Sequence, residues 1–334
     1  HVPVLSAATE QLPAVPDPTD EDKQVLARLR SALGQALVGA GEVEEARRSL
    51  RQGIADLEPG PATPGRARLR RTLGWTYWQW GPVNEAASLI EAAVAEARAC
   101  GDDETLRWAI HDLGITRDRA GGSLDEALEY MEQSFGLAKA AGDRVLMQRC
   151  YNNLPWVKLD RGDPLEPVVA MAKEGLRLAR HTAEGEPDAP LAHTVGWCSL
   201  ELGRLDEALS YLDESIAAAR SRGLNQRVLL CGRAIILRHR GDLDAAHRDE
   251  ATLDELGRED QPQSTPAQRV GRAIARWEGD PVAAMSGLAR GMEECHVAHL
   301  VARMALRLHD QALLERAVSF HQGVRRPGAV SYTH

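Results

Sequence analysis

The stretch LGWTYWQWGPVNEA, residues 73–86, decides the fold. It holds a small residue at Gly74, an apolar run, a glycine stop at Gly81 and an alanine at Ala86, twelve residues after Gly74. The pattern recurs. Residues 33–46 give Leu33-Gly34, Gly41 and Ala46, and residues 195–208 give Val195-Gly196, Gly203 and Ala208. Residues 113–127 give Leu113-Gly114, the Gly121–Gly122 pair and Ala127, with one residue inserted. Packing explains the spacing: a small residue in the first helix lets the second come close, and a small residue in the second keeps the pair from being pushed apart.

Two columns of glycines frame these copies. Gly41, Gly81, Gly121 or Gly122, Gly162, Gly203, Gly241 and Gly279 form one; Gly101, Gly142 and Gly223 form the other. Glycine takes the left-handed conformation that ends a helix at least cost. Two stops in each period of about forty residues mean two helices per period, and a fixed period of that size means a stacked array. The second helices agree. NEAASLIEAAVAEARA (84–99), LDEALEYMEQSFGLAKA (124–140) and LDEALSYLDESIAAARS (205–221) place apolar residues at i, i+3, i+4 and i+7. Asn84, Asp125 and Asp206 stand near their starts, where short polar or acidic side chains suit free N–H groups and the helix dipole.

The Leu-Gly, turn glycine and alanine together resemble the tetratricopeptide repeat. The match is good in the first three copies and the fifth. In the fourth, NLPWVKLDRGDPLEP, Pro155 stands in place of the first glycine and Pro167 in place of the alanine. Copies six and seven keep only the turn, as RGDLDAA and EGDPVAA. The resemblance implies an all-α fold, a right-handed superhelical solenoid of about seven to eight helix pairs. Residues 1–22 read as a proline-rich linker, 23–320 as the array and 321–334 as a C-terminal loop and tail.

Composition supports helices and narrows function. Of 334 residues, 43% are hydrophobic and 27% charged, as in folded soluble chains, and Ala, Leu, Arg and Glu favour helix. No run approaches the ~18–20 apolar residues of a membrane helix. No basic-then-apolar leader opens the chain, and five scattered cysteines without a C-x-x-C pair suit a reducing compartment, so a cytoplasmic location is expected. A net charge of -9 argues against nucleic-acid binding, which needs clustered cations.

No catalytic constellation emerges. The phosphate-cradling G-x-x-x-x-G-K-[ST], a zinc H-E-x-x-H and G-x-S-x-G are all missing. Cys295 and His299 share a helical face but lack a second ligand pair. His247-Arg248-Asp249 imitates a kinase triplet without the rest of that signature. The expectation is a chain with no enzyme activity, no cofactor and no metal.

Aromatic placement is the one unusual feature. Only 4% of residues are aromatic, yet Trp75, Tyr77, Trp78 and Trp80 fall within 73–81. Tyr77, four residues after Leu73, reads as interhelical core, and Trp80 as packing near the turn. In the tetratricopeptide pattern, the residue after the small glycine and the one three further on line the concave groove. The first position gives Gln35, Trp75, Ile115, Trp156, Trp197 and Ile235; the second adds Trp78. One turn earlier come Arg71, His111, Asn152, His193 and Cys231, and a turn before those Arg68, Trp108 and Arg149. Arg68, Arg71, Trp75, Trp78, His111, Asn152, Trp156, His193 and Trp197 are therefore the candidate ligand- or partner-binding residues. Tryptophan offers a wide face with few rotors, and arginine binds acids and stacks on rings. A peptide, a protein partner or a small-molecule inducer would suit such a groove. The competing reading has these tryptophans packing across a closed groove.

The tail sharpens the family resemblance. Ala305, Leu308, Asp310, Leu313, Glu315 and Ala317, followed by Pro327-Gly328, resemble the late array of LuxR-type large ATP-binding regulators of the STAND class. That resemblance implies an excised sensor segment of a bacterial transcriptional regulator, with an ATPase before it and a helix-turn-helix after it. A freestanding interaction scaffold for peptides or partner helices is the other reading.

Overall fold

The computed structural model describes residues 2–11, 19–80, 83–120, 122–180, 189–224, 226–256, 311–312 and 314–315, and no strand occurs among them. The helices, in chain order, are α1 (Val2–Gln11), α2 (Asp20–Gly39), α3 (Val43–Ala55), α4 (Pro64–Trp80), α5 (Val83–Cys100), α6 (Asp103–Arg119) and α7 (Leu124–Ala141). They continue as α8 (Arg144–Arg161), α9 (Leu165–Arg180), α10 (Ala189–Glu201), α11 (Leu205–Ser221), α12 (Arg227–Arg240) and α13 (Leu243–Leu256). The chain divides into two compact units, residues 1–150 and 151–334, with the division inside α8. Within each unit, helices pack on their chain neighbours, and the first helix of a pair also packs on the first helix of the next, as α2 does on α4 and α10 on α12.

Local chemistry sets the ends of these helices. Gly41, Gly101, Gly142, Gly162, Gly203, Gly223 and Gly241 all have positive φ, so both glycine columns end helices as the spacing predicts. At Gly142, φ is 67°, and its N–H bonds back to the last turn of α7, satisfying a carbonyl that has no helical partner. The caps at helix starts differ in detail from expectation. Ser123 caps α7 by accepting from Glu126 N–H and Asp102 caps α6 by accepting from Thr105 N–H, while Asp125 and Asp206 lie in first turns and act through the dipole.

The Leu-Gly glycines mark where paired helices touch. A Cβ on Gly74 would lie 2.6 Å from Ile90, on Gly114 2.7 Å from Met131, on Gly34 3.0 Å from Leu50 and on Gly196 3.1 Å from Leu212. Each partner is a large side chain one turn beyond the motif alanine. The alanines Ala46, Ala86, Ala127 and Ala208 are themselves wholly buried. The rule is thus small against large, one turn offset, rather than glycine directly opposite alanine. In the fourth copy the small residue changes sides: α8 runs through Pro155, and Gly175 of α9 supplies the notch, its Cβ position only 2.4 Å from Tyr151 Cβ. Pro167 falls in the first turn of α9, where proline removes no helical hydrogen bond.

A period near forty-one residues is visible in side-chain contacts between successive first helices. In the first unit, Gln24 Oε1 accepts from Gly65 N–H at 2.6 Å, and the hydroxyls of Ser31 and Thr72 bond at 2.8 Å. In the second unit Thr194 donates to Asn152 Oδ1 at 3.0 Å.

Two expectations need correction at the N-terminus. Val2–Gln11, assigned to a linker spanning 1–22, forms helix α1, and α2 already begins at Asp20 behind a Thr19–Asp22 capping box. Val2 and Leu5 explain the extra helix: they pack, with Trp75, against Leu33, Leu37, Val38 and Ala46. Apolar burial outweighs a composition that reads as linker. The Cys295–His299 pair, Gly279, most of residues 257–320 and the 321–334 tail lie outside the described residues.

Candidate ligand-binding faces

In the first unit, α4 and α6 bring Arg68, Arg71, Trp75, Trp78, Trp108 and His111 onto neighbouring first helices. Most of this set is consumed internally. Arg71 Nε donates to Asp112 Oδ2 at 2.9 Å, and its guanidinium lies 4.7 Å over the Trp108 ring. His111 Nδ1 stands 3.2 Å from Asp112 Oδ1, and its ring meets Trp108 edge-on. Burial opposes ionisation of Asp112, yet Arg71 and His111 outweigh it and hold the carboxyl below its usual range. The result is a closed ionic cluster. His111, only 2% exposed, is corrected from groove residue to core residue.

Trp78 is corrected likewise. It is buried, with the Arg119 guanidinium 4.9 Å over its ring and the Arg119 Nη1 donating to its carbonyl at 3.2 Å. Tyr77 is buried as expected, with Arg47 4.2 Å over its ring. Trp75 is half-buried on the cluster it shares with α1, and Arg68 pairs with Glu104 at 3.3 Å near the surface. Trp80 lies in α4, and its side chain is outside the described residues.

The second unit builds a different face. Asn152 and Trp156 come from α8, His193 and Trp197 from α10, and all four are half-buried. Trp156 and His193 stack at 5.9 Å, Trp156 and Trp197 tilt together at 5.7 Å, and His193 and Trp197 lie 6.3 Å apart. These are favourable aromatic distances, so the three rings form one continuous platform. Behind it, Thr194 is the organiser: it accepts from Trp156 Nε1 at 3.1 Å and approaches Asn152 Oδ1 at 3.0 Å and the Pro190 carbonyl at 3.0 Å. Gly232 of α12 makes room for the imidazole, since a Cβ there would lie 2.8 Å from His193 Cδ2. Desolvation pushes His193 down to about 4, so the ring is neutral at physiological pH. The platform is rigid, uncharged and partly open to solvent.

Asp112, Thr194 and Gly232 were missed in the sequence. The first two carried a usable signal, standing 41 residues after Arg71 and 42 after Asn152. Other chemically suggestive groups are occupied. Asp249 of the His247-Arg248-Asp249 triplet is buried against Arg233, accepting at 2.6 and 2.8 Å. Arg233 and Arg240 border a hollow with Arg248; Arg233 also bonds Asp213, and Arg240 bonds Asp206 and Asp242. Cys150 and Cys198 are wholly buried, and burial pushes both thiols up to about 12.

No family model and no curated protein matches the sequence. Solved structures do match the fold. One is NprR in complex with its cognate peptide NprX, at TM-score 0.63 and 11% identity over 90% of this chain and 87% of that one. Another is the Rap conjugation gene regulator of the plasmid pLS20 in complex with the Phr* peptide, at TM-score 0.59 and 13% identity over 91% and 76%. A third is BtubC from P. vanneervenii, at TM-score 0.55 and 16% identity over 67% and 92%. The chain has the tetratricopeptide-like helical repeat fold. Among the described residues no helix is long and apolar enough to cross a membrane.

Proposed function

We propose that this chain is a non-catalytic binding domain that takes a peptide or extended protein segment on the Trp156–His193–Trp197 face. One observation carries the reading: three half-buried rings are held in a fixed, neutral platform by Thr194, Asn152 and the Gly232 notch. Pre-organised aromatic surface binds well because little entropy is lost when a partner covers it. Two fold neighbours were solved with peptides bound, which favours a peptide over a small-molecule inducer. An acidic chain of net charge -9 is a poor nucleic-acid binder.

The same reading places the domain in a bacterial transcriptional regulator of the LuxR type, acting in the cytoplasm. The gene regulator among the fold neighbours supports a regulatory setting. Sequencing the reading frame on both sides tests it: a phosphate-binding loop upstream and a helix-turn-helix downstream are expected, and a gene without them sinks the LuxR assignment.

The binding reading is tested by tryptophan fluorescence of the full chain titrated with random blocked hexapeptides. A saturable change is expected, weakened about tenfold or more in Trp197→Ala, as for a central aromatic contact. Trp197 is half-buried, so its truncation should lower stability by about 1–2 kcal/mol, less than a fully buried Trp. Saturable binding that Trp197→Ala leaves unchanged places the partner elsewhere.

A further inference from the structure

The platform of the second unit leaves little polar chemistry facing outward. Asn152 is engaged on both sides, its Oδ1 with the Thr194 hydroxyl at 3.0 Å and its Nδ2 donating to Asn153 Oδ1 at 3.0 Å. Trp156 Nε1 donates to Thr194 Oγ1 at 3.1 Å. His193 shows a stacked ring, with Nε2 on the side that meets Gly232. Trp197 differs. Among the described residues its Nε1 has no hydrogen-bond partner, and it is not one of the enclosed polar atoms, as Trp78 Nε1 is. The indole N–H donates only. The platform therefore offers ring surface and one unanswered donor, with the acceptors of Asn152 and Thr194 committed behind the rings.

Ring spacing decides how a ligand lies here. A flat group held between two faces needs them ~7–8 Å apart, twice a carbon contact. Trp156 and Trp197 stand 5.7 Å apart and tilted at 43°, and Trp156 and His193 stand 5.9 Å apart at 26°. No flat side chain or planar metabolite fits between them, so a ligand lies across the outer faces. It must also bring an acceptor to Trp197 Nε1 and no donor that would be left unpaired against the rings, since an unmet N–H removed from water is costly. A helical ligand spends its mid-segment carbonyls internally. Proline meets every demand: an apolar ring, a backbone carbonyl and no backbone N–H. In the extended polyproline conformation that carbonyl makes no internal hydrogen bond.

We infer that the α8–α10 face selects an extended, proline-containing segment, with one proline ring lying on Trp156 and Trp197 and an adjoining carbonyl accepting from Trp197 Nε1. The inference rests on this face being the peptide site and adds which peptide it takes. Arginine, lysine and phenylalanine side chains stack on rings but carry no acceptor, and each brings a backbone N–H. A segment that is already extended also loses little entropy on docking to a rigid platform.

The test uses the full chain and blocked hexapeptide pools with one fixed central residue: proline, alanine, phenylalanine or arginine. The proline pool is expected to bind about tenfold more tightly than the alanine pool, with phenylalanine and arginine between them. This ranking is read on the native chain and needs no variant. Trp197→Phe keeps a ring and removes the donor; with its helix content checked by circular dichroism, it should weaken the proline pool about fivefold and leave the other pools nearly unchanged. A phenylalanine or arginine optimum that Trp197→Ala abolishes overturns the proline reading and leaves the peptide site standing. A proline preference that Trp197→Phe leaves untouched overturns the donor assignment and, with it, the stated reason for proline. Saturation by none of the pools overturns both the proline reading and the peptide site.

Discussion

The α4–α6 face and the α8–α10 face are each built from two successive first helices, yet the charged groups of one are paired internally while the rings of the other stay partly clear. In the first unit, Arg71, His111, Asp112 and Trp108 satisfy one another, and a potential groove becomes a buried ionic cluster. In the second, Thr194 and Asn152 spend their hydrogen bonds behind the rings and leave the aromatic faces partly clear. The backbone does not make this difference. Each repeat touches only its neighbours, so the chemistry of a face depends on the residue pairs that stand about forty-one apart across one seam.

Removing Asp112 is the most severe way to break the contrast. Asp112→Ala strands Arg71 and His111 without their shared partner. Breaking one side of a buried ion pair is expected to lower stability by about 3–5 kcal/mol. In the second unit, Asn152→Ala removes two neutral hydrogen bonds, one accepted from Thr194 and one donated to Asn153, and should cost about 2 kcal/mol. Urea unfolding of both variants, followed by circular dichroism, measures the pair. Equal losses would mean that the two faces are held in the same way.

Acid sharpens the contrast from the other side. The His193 pKa is depressed in the fold to about 4, against 6.5 unperturbed. The unfolded chain therefore binds a proton that the folded chain refuses between these values. Stability contributed by the neutral ring is fully present above pH 6.5 and is lost as pH falls toward 4, by about 2–3 kcal/mol. Asp112 is also depressed, from 3.8, so its contribution holds across that window and fails only at lower pH. Melting temperature should fall between pH 6.5 and 4 in the native chain, and that slope should flatten in His193→Gln. A slope unchanged by the substitution would assign acid sensitivity to another group.

The fold was legible in the sequence because the repeat states it twice. The two glycine columns are a backbone requirement, and the structure puts seven of their members in the left-handed region. The Leu-Gly and alanine positions are a volume requirement, and Gly74 against Ile90 shows its strictness. The candidate site was half legible. Position relative to the motif glycine placed Trp156, His193 and Trp197 together, and they do meet. It could not separate His193 from His111, which occupies the same column but is buried, nor show that Trp78, at the neighbouring position, is buried beneath Arg119. What separates His111 from His193 is the company each keeps: Asp112 beside it and Arg71 from the preceding repeat in one place, Thr194 beside it and Gly232 from the next repeat in the other. The α1 helix was hidden for a related reason. Val2 and Leu5 make sense only once Leu33, Leu37 and Trp75 are assembled to receive them.

The smallest expected effect tests whether charge or burial closes the first face. Arg68 and Arg71 are three residues apart on α4, and each reaches an acid on α6. The Arg68–Glu104 pair is 3.3 Å long, with its side chains 27% and 58% exposed; the Arg71–Asp112 pair is 2.9 Å, with 16% and 4%. Water screens the first and is excluded from the second, so equal charges should have unequal weight. Arg68→Ala is expected to change stability by no more than about 0.5 kcal/mol in urea unfolding. Raising the salt should leave even that difference near zero. A loss comparable to that of Asp112→Ala would show that the face is closed by its summed positive charge, and the local account of why α4–α6 differs from α8–α10 would fall with it.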